Sequence, residues 1–170
     1  NSRNSYSENR FCLSFKTYEN LIIMNNAHHY EVDLVWTSDR KGTISSPVLN
    51  SSIEVATPPE FPNGIPGIWS PEHLLVAAVN SCYMTTFLAI AENFKLAFES
   101  LDCKAVGLLE QPEGKYLITT VLLKPVLVIN DEHNAEKAMR VLEKTEKACL
   151  ISNSIKANIK LDAVVKVSHN

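Results

Sequence analysis

The chain lacks an excess of either charge. Its 16 Lys and Arg against 19 Asp and Glu leave a formal net charge of -3, dispersed along 170 residues. No basic stripe exists to hold nucleic acid and no polybasic face to hold an anionic membrane, so a small-molecule substrate is the better expectation. Metal signatures are missing as well: there is no Cys-x-x-Cys, no His-Glu-x-x-His and no tight Cys/His cluster, and neither metal nor cofactor is expected. Five glycines form no phosphate-cradling loop. The four cysteines are spaced too widely for the framework of a small secreted domain, which points to a reducing compartment, a cytosolic protein and thiols that are catalytic or inert. No apolar stretch is expected to reach the roughly 18 to 20 charge-free residues of a membrane span. The run around Cys82 comes nearest, and its Glu72, His73, Asn80 and Ser81 favour a buried helix of a soluble fold.

What is present is enough for one core and short for two. Residues 1–27 mix Asn, Ser, Tyr and charges around isolated apolar residues, with the first methionine at Met24. They are expected to be a disordered or non-native tail in which Cys12 has no role, leaving 28–170 as a single domain. Tyr30, Val32, Leu34 and Trp36 alternate with Glu31 and Asp33, the period of a half-buried strand. Turn chemistry follows over Ser38–Gly42, and Thr43 to Thr57 fits one or two further strands interrupted at Pro47. The four prolines between Pro58 and Gly67 demand an ordered loop or lid.

Ser70 followed by Pro71 marks a helix start, a hydroxyl cap and then the one helical position that tolerates proline. The helix is expected to run to about Asn93, apolar on most of its circumference and therefore buried on most sides. One small domain hardly surrounds such a helix, so a partner subunit is expected and with it a homodimer. Leu101 to Glu110 and Tyr116 to Ile129 read as a hairpin across the turn Gln111–Gly114. Asp131 caps a helix of about 17 residues, with Cys149 at its end, and the run from Ile155 to Val167 reads as a last strand. His73 has no identifiable partner. This order is α+β, unlike the strict alternation of a Rossmann sheet.

Cys82 and Cys149 carry the chemistry. A thiol that attacks a peroxide must be ionised and shielded, yet burial in an apolar helix raises its pKa, so a cationic or donating group must approach Cys82. Arg40 and Lys41 are the candidates, Arg40 the better because its fork can hold a carboxylate at the same time. Glu72 is the carboxylate, but it lies ten residues before Cys82, about 15 Å along one helix axis. It serves Cys82 if two such helices pack antiparallel across a dimer axis. A cysteine in an apolar helix is more often a core residue than a nucleophile, and Cys103 reads most simply as a strand residue.

The segments Ser70-Pro71-Glu72-His73-Leu74-Leu75 with Cys82, and Ala148-Cys149-Leu150-Ile151-Ser152-Asn153-Ser154-Ile155, resemble the OsmC/Ohr superfamily of osmotically inducible and organic hydroperoxide resistance proteins. The resemblance covers roughly residues 28–168. It implies an intertwined α+β homodimer, two long central helices wrapped by antiparallel sheets. It implies a metal-free peroxidase that reduces organic hydroperoxides, with Cys82 peroxidatic, Cys149 resolving, and Arg40 and Glu72 as the family's arginine and glutamate. An external dithiol, of lipoyl type in the organic-hydroperoxide branch, resets the enzyme. Ser70 stands where that branch usually carries asparagine, and the loop from Pro58 to Trp69 departs from its glycine-rich approach. A dimeric small-molecule-binding module and a redox sensor without turnover are the competing readings.

Overall fold

Alternating strands in the first third of the chain form a sheet, but not a buried one. The computed structural model describes residues 27–168; the expected tail with Cys12 lies outside the described residues, apart from Ala27. Strands β1 (Asp33–Ser38), β2 (Lys41–Ser45) and β3 (Ile53–Ala56) pair antiparallel in that order. Asp39, at φ 46°, makes the turn between β1 and β2 in a left-handed conformation that Asp tolerates. The expected half-buried strand over 29–36 is corrected: β1 begins at Asp33, and Tyr30, Val32, Leu34 and Trp36 are all exposed. Alternation supplies an apolar face, but no element among the described residues lies over it. The sheet is anchored at its root, where Val55 bridges Trp69 and the Ala56 N–H donates to the Trp69 carbonyl at 2.8 Å.

The proline-rich segment forms the ordered loop its composition demands. Thr57 N–H donates to the Arg40 carbonyl, Ile65 N–H donates to the Thr57 carbonyl, and the Phe61 ring meets Tyr116 edge to face at 5.1 Å. Helix α1 then spans Pro71–Asn93, with the Ser70 hydroxyl accepting from the His73 N–H. Val79, Tyr83, Phe87 and Ala91, spaced by four, form its buried stripe. Expected burial on most sides is not met within the chain, since Met84 is 44% and Leu88 46% exposed. The run Leu74–Ala91 carries no charged residue, so α1 is long and apolar enough to cross a membrane by length and composition, against the expectation that no stretch qualifies. Here it packs on a sheet instead.

That sheet is built on β4 (Ser100–Glu110) and β5 (Leu117–Ile129), an antiparallel hairpin closed by a 3-10 turn over Pro112–Gly114. Asp131 caps a second 3-10 turn, Glu132–Asn134, and α2 runs from Ala135 to Ala148. The single helix expected from Asp131 is therefore a 3-10 turn followed by an α-helix of 14 residues. A short helix α3 (Leu150–Ser154) follows Cys149, then β6 (Asn158–Leu161) and β7 (Val164–Val167). Both run parallel to β5, which corrects the expectation of antiparallel sheets alone. A helix carries the chain back across the sheet between β5 and β6, and a helical crossover joins parallel strands.

The last strand is split in two for a reason visible in β5. The Leu123 and Ile129 carbonyls accept from Asp162 and Ser168, so odd-numbered residues of β5 point their backbone groups toward β6 and β7. Pro125 aims a nitrogen without hydrogen at the same side, opposite the break at Asp162–Ala163. The core lies between this sheet and α1 and α2, where Leu123, Leu127, Val141 and Leu142 join the α1 stripe.

Gly107 sets how closely α1 approaches β4. A Cβ at Gly107 would lie 2.5 Å from Val76 Cγ2. Gly107→Val is expected to destabilise the fold by about 1 to 3 kcal/mol through overpacking. Chemical denaturation checks this, and adding Val76→Ala is expected to recover much of the loss.

Candidate active site

Tyr83 fixes the register of the site. Its hydroxyl donates to the Leu142 carbonyl at 3.2 Å, pinning α1 to α2, and burial pushes its phenol well above the usual range. Cys82, the preceding residue, is thereby held half-buried on the flank of α1 that faces the end of α2. There the chain turns at Cys149, whose backbone is extended (φ -64°, ψ 117°), and starts again as α3. The Asn153 side-chain amide donates to the Lys147 and Cys149 carbonyls, both at 3.0 Å, and clamps the corner. The first amides of α3 have no partner within the helix. One of them, Ile151 N–H, donates to Cys82 Sγ at 3.4 Å, and the Thr86 hydroxyl lies 3.9 Å from the same sulfur.

The two thiols are driven apart in acidity. Burial raises Cys82, but the Ile151 amide, the Cys149 thiol, the Thr86 hydroxyl and the Leu150 amide together hold it below the ordinary thiol value. Cys149 is pushed up, first by burial, and further by the Cys82 sulfur beside it. The Ser152 hydroxyl and amide face Cys149 and pull the other way without prevailing; that hydroxyl completes no hydrogen bond of its own. Cys82 is thus the more acidic thiol of the pair, and Cys149, fully buried, the less acidic one at its side. Cys103 lies in β4, as its strand pattern indicates, and burial raises its thiol.

The donors to Cys82 are not those expected from the sequence. Arg40 sits exposed in the β1–β2 turn and pairs with no carboxylate among the described residues. Lys41 reaches Glu54 across β2 and β3 at 3.2 Å. Glu72 stands in the first turn of α1 with its Oε2 buried and unpartnered. Within one chain, then, the structure brings Cys82 and Cys149 together and leaves Arg40 and Glu72 apart from them. The Thr86 hydroxyl, one helical turn after Cys82, was legible as an i+4 neighbour. The Ile151 amide was not, because five residues carry no helical periodicity.

A cavity of about 520 Å³ opens between α1, β4 and the proline-rich loop. Trp69, Val76, Leu109 and Ile118 give it apolar walls, and Glu60, Glu72, His73 and Asn80 bring polar groups. Contrary to the sequence expectation, His73 has partners: its Nδ1 lies 2.8 Å from the buried Ser70 hydroxyl and its ring meets Trp69 edge to face. Among the described residues no group of three or more His, Cys, Asp or Glu is placed to hold a metal ion.

The acidity split has a direct consequence. A lowered thiol keeps its thiolate as pH falls, and a raised thiol loses its thiolate sooner. Alkylation of the reduced protein is expected to label Cys82 at pH values where a free cysteine has stopped reacting, with Cys149 labelled only at higher pH. Mass spectrometry of the alkylated peptides across a pH series checks the order.

Comparison with known proteins agrees with this architecture. The family model described as OsmC-like protein matches residues 64–164, which contain α1, both site cysteines and the β4–β5 sheet. A Bacillus subtilis (strain 168) protein named "Uncharacterized protein YmaD" is 27% identical over 145 residues, covering 82% of this chain and 95% of its own. A Vibrio cholerae structure, an OsmC-like protein of unknown function, superposes with a TM-score of 0.68 at 23% identity, covering 84% of this chain and 100% of that one. A Legionella pneumophila structure described as an organic hydroperoxide resistance protein OsmC gives 0.68 at 20% identity, with coverage of 84% and 100%. OhrB of Bacillus subtilis, an organic hydroperoxide resistance protein, gives 0.62 at 18%, with coverage of 82% and 98%. At these identities the structures speak to the fold, and the family model, matching more than half of the chain, shows that this chain belongs to the OsmC-like family.

Proposed function

We propose that the protein is a metal-free, thiol-dependent peroxidase that reduces organic hydroperoxides to alcohols. The observation that carries this reading is the split pair: Cys82, whose sulfur accepts from the Ile151 amide and is made more acidic, against Cys149, made less acidic beside it. The Cys82 thiolate attacks the terminal oxygen of the hydroperoxide, the O–O bond breaks, and the electron pair leaves on the alkoxide, which takes a proton to become the alcohol. Cys82 is then a sulfenic acid. The Cys149 sulfur displaces its hydroxyl as water and a Cys82–Cys149 disulfide forms. An external dithiol, of lipoyl type by resemblance to the organic-hydroperoxide branch, reduces the disulfide and closes the cycle. The names of the Legionella and OhrB neighbours point the same way.

The working unit in this reading is a homodimer. Leu34 at 65%, Trp36 at 70% and Leu88 at 46% exposure give the sheet arm and the open flank of α1 a large uncovered apolar surface, which a second copy would bury. With two α1 helices antiparallel, Glu72 of the partner subunit comes to the neighbourhood of Cys82. Arg40 of the partner subunit, carried on its arm, pairs with that carboxylate and reaches the sulfur. An unpartnered buried Glu72 oxygen in the single chain supports this arrangement.

One equivalent of cumene hydroperoxide, followed by alkylation and peptide mapping, tests the cycle. A Cys82–Cys149 disulfide is expected in the parent and trapped sulfenic acid at Cys82 in Cys149→Ser; two alkylated thiols in the parent would leave a binding module as the better account. Arg40→Ala and Glu72→Gln are each expected to slow Cys82 oxidation by about 10²-fold. Sedimentation is expected to show a dimer that Trp36→Asp weakens.

A further inference from the structure

His73 is a polar group of the cavity that the cycle above does not use. Two contacts fix its ring: Nδ1 at 2.8 Å from the Ser70 hydroxyl and an edge-to-face meeting with Trp69. The same hydroxyl oxygen already accepts from the His73 backbone N–H as the helix cap. Among the described residues no other acceptor is placed for the hydrogen of this hydroxyl, which assigns it to Nδ1 and leaves the ring hydrogen on Nε2. Ser70 is fully buried, so solvent does not compete for this arrangement. Nε2 has no partner among the described residues, and His73 lines the rim of the cavity beside Glu72. The result is a preoriented N–H donor at the solvent-exposed rim of a cavity with apolar walls.

We infer that the His73 Nε2–H is a hydrogen-bond donor to the leaving oxygen of the hydroperoxide, making His73 a further catalytic residue of this site. The inference rests on the peroxidase reading, in which Glu72 and the cavity beside it meet Cys82 of the partner subunit. As the Cys82 sulfur bonds to the terminal oxygen and the O–O bond breaks, negative charge gathers on the inner, carbon-bound oxygen. His73 stabilises that charge without giving up its proton; the alkoxide is protonated by water, and the terminal OH stays on sulfur as the sulfenic acid. The titratable groups that share the cavity are Glu72 on α1 and Glu60 on the proline-rich loop. Both are acceptors when ionised, so neither replaces the donor.

Leaving-group dependence separates this role from a structural one. A donor matters most when the leaving oxygen is strongly basic, as the alkoxide of tert-butyl hydroperoxide is, and least when it is already stable, as the acetate of peracetic acid is. The rate of Cys82 oxidation is to be measured in the full-length parent and in His73→Ala with both oxidants, by rapid quench and alkylation. His73→Ala is expected to slow the tert-butyl hydroperoxide reaction by about tenfold or more and the peracetic acid reaction by less than about threefold. Added imidazole is expected to restore much of the first. Equal slowing with both oxidants, or none with either, would overturn the assignment. His73→Gln, which keeps an amide donor at similar reach, gives the same comparison should His73→Ala melt early, and is expected to fall between parent and His73→Ala. No oxidation of Cys82 in the parent by either peroxide would instead remove the peroxidase reading beneath it.

Discussion

One helix is too apolar for the chain that carries it. The 23 residues of α1 bury a stripe of Val79, Tyr83, Phe87 and Ala91 against the sheet and α2, which at roughly 1.5 to 3 kcal/mol for each large side chain is a main source of cohesion. Met84 and Leu88 on another flank stay largely uncovered among the described residues. The exposed arm of β1, β2 and β3 has the same deficit, anchored at its root and apolar along its length. Both features follow from a sequence written for more surface cover than 142 described residues supply, and the proposed second copy answers both at once.

Within the single chain, a half-buried thiol is made more acidic with no cation beside it. Burial works against ionisation, and it is offset by backbone amides that the start of a short helix leaves free. That solution depends on a corner rather than on a motif. Cys149 must turn the chain, Asn153 must clamp it, and Tyr83 must hold α1 against α2 so that the corner meets Cys82. The same burial that is offset at Cys82 prevails at Cys149, so one packed environment makes one thiol more acidic and its neighbour less so.

Much of the fold was legible because local chemistry and periodicity agree with the outcome. Ser70 and Pro71 start α1, Asn93 ends it, and the β4–β5 hairpin falls where its alternation and its Pro-Glu-Gly turn place it. Elements that depend on distant neighbours were harder. The run from Ile155 to Val167 breaks because Pro125, some forty residues earlier, offers no donor to the strand beside it. β1 has the alternation of a half-buried strand and lies exposed, since burial is decided by what comes to rest on a face. His73 gained two partners, Ser70 and Trp69, from the geometry of a helix cap.

By itself the sequence determined the α+β order, the cysteine-bearing helix and the loop its prolines require, each set by bonding and spacing within a few residues. Only the tertiary structure decided which groups reach Cys82: the Ile151 amide and Thr86, with Arg40 and Glu72 held apart in the single chain. The physical reason is range. Propensity, capping and periodicity act along the chain, whereas the acidity of a thiol is set through space by whatever dipoles the packed elements bring within a few ångströms of it.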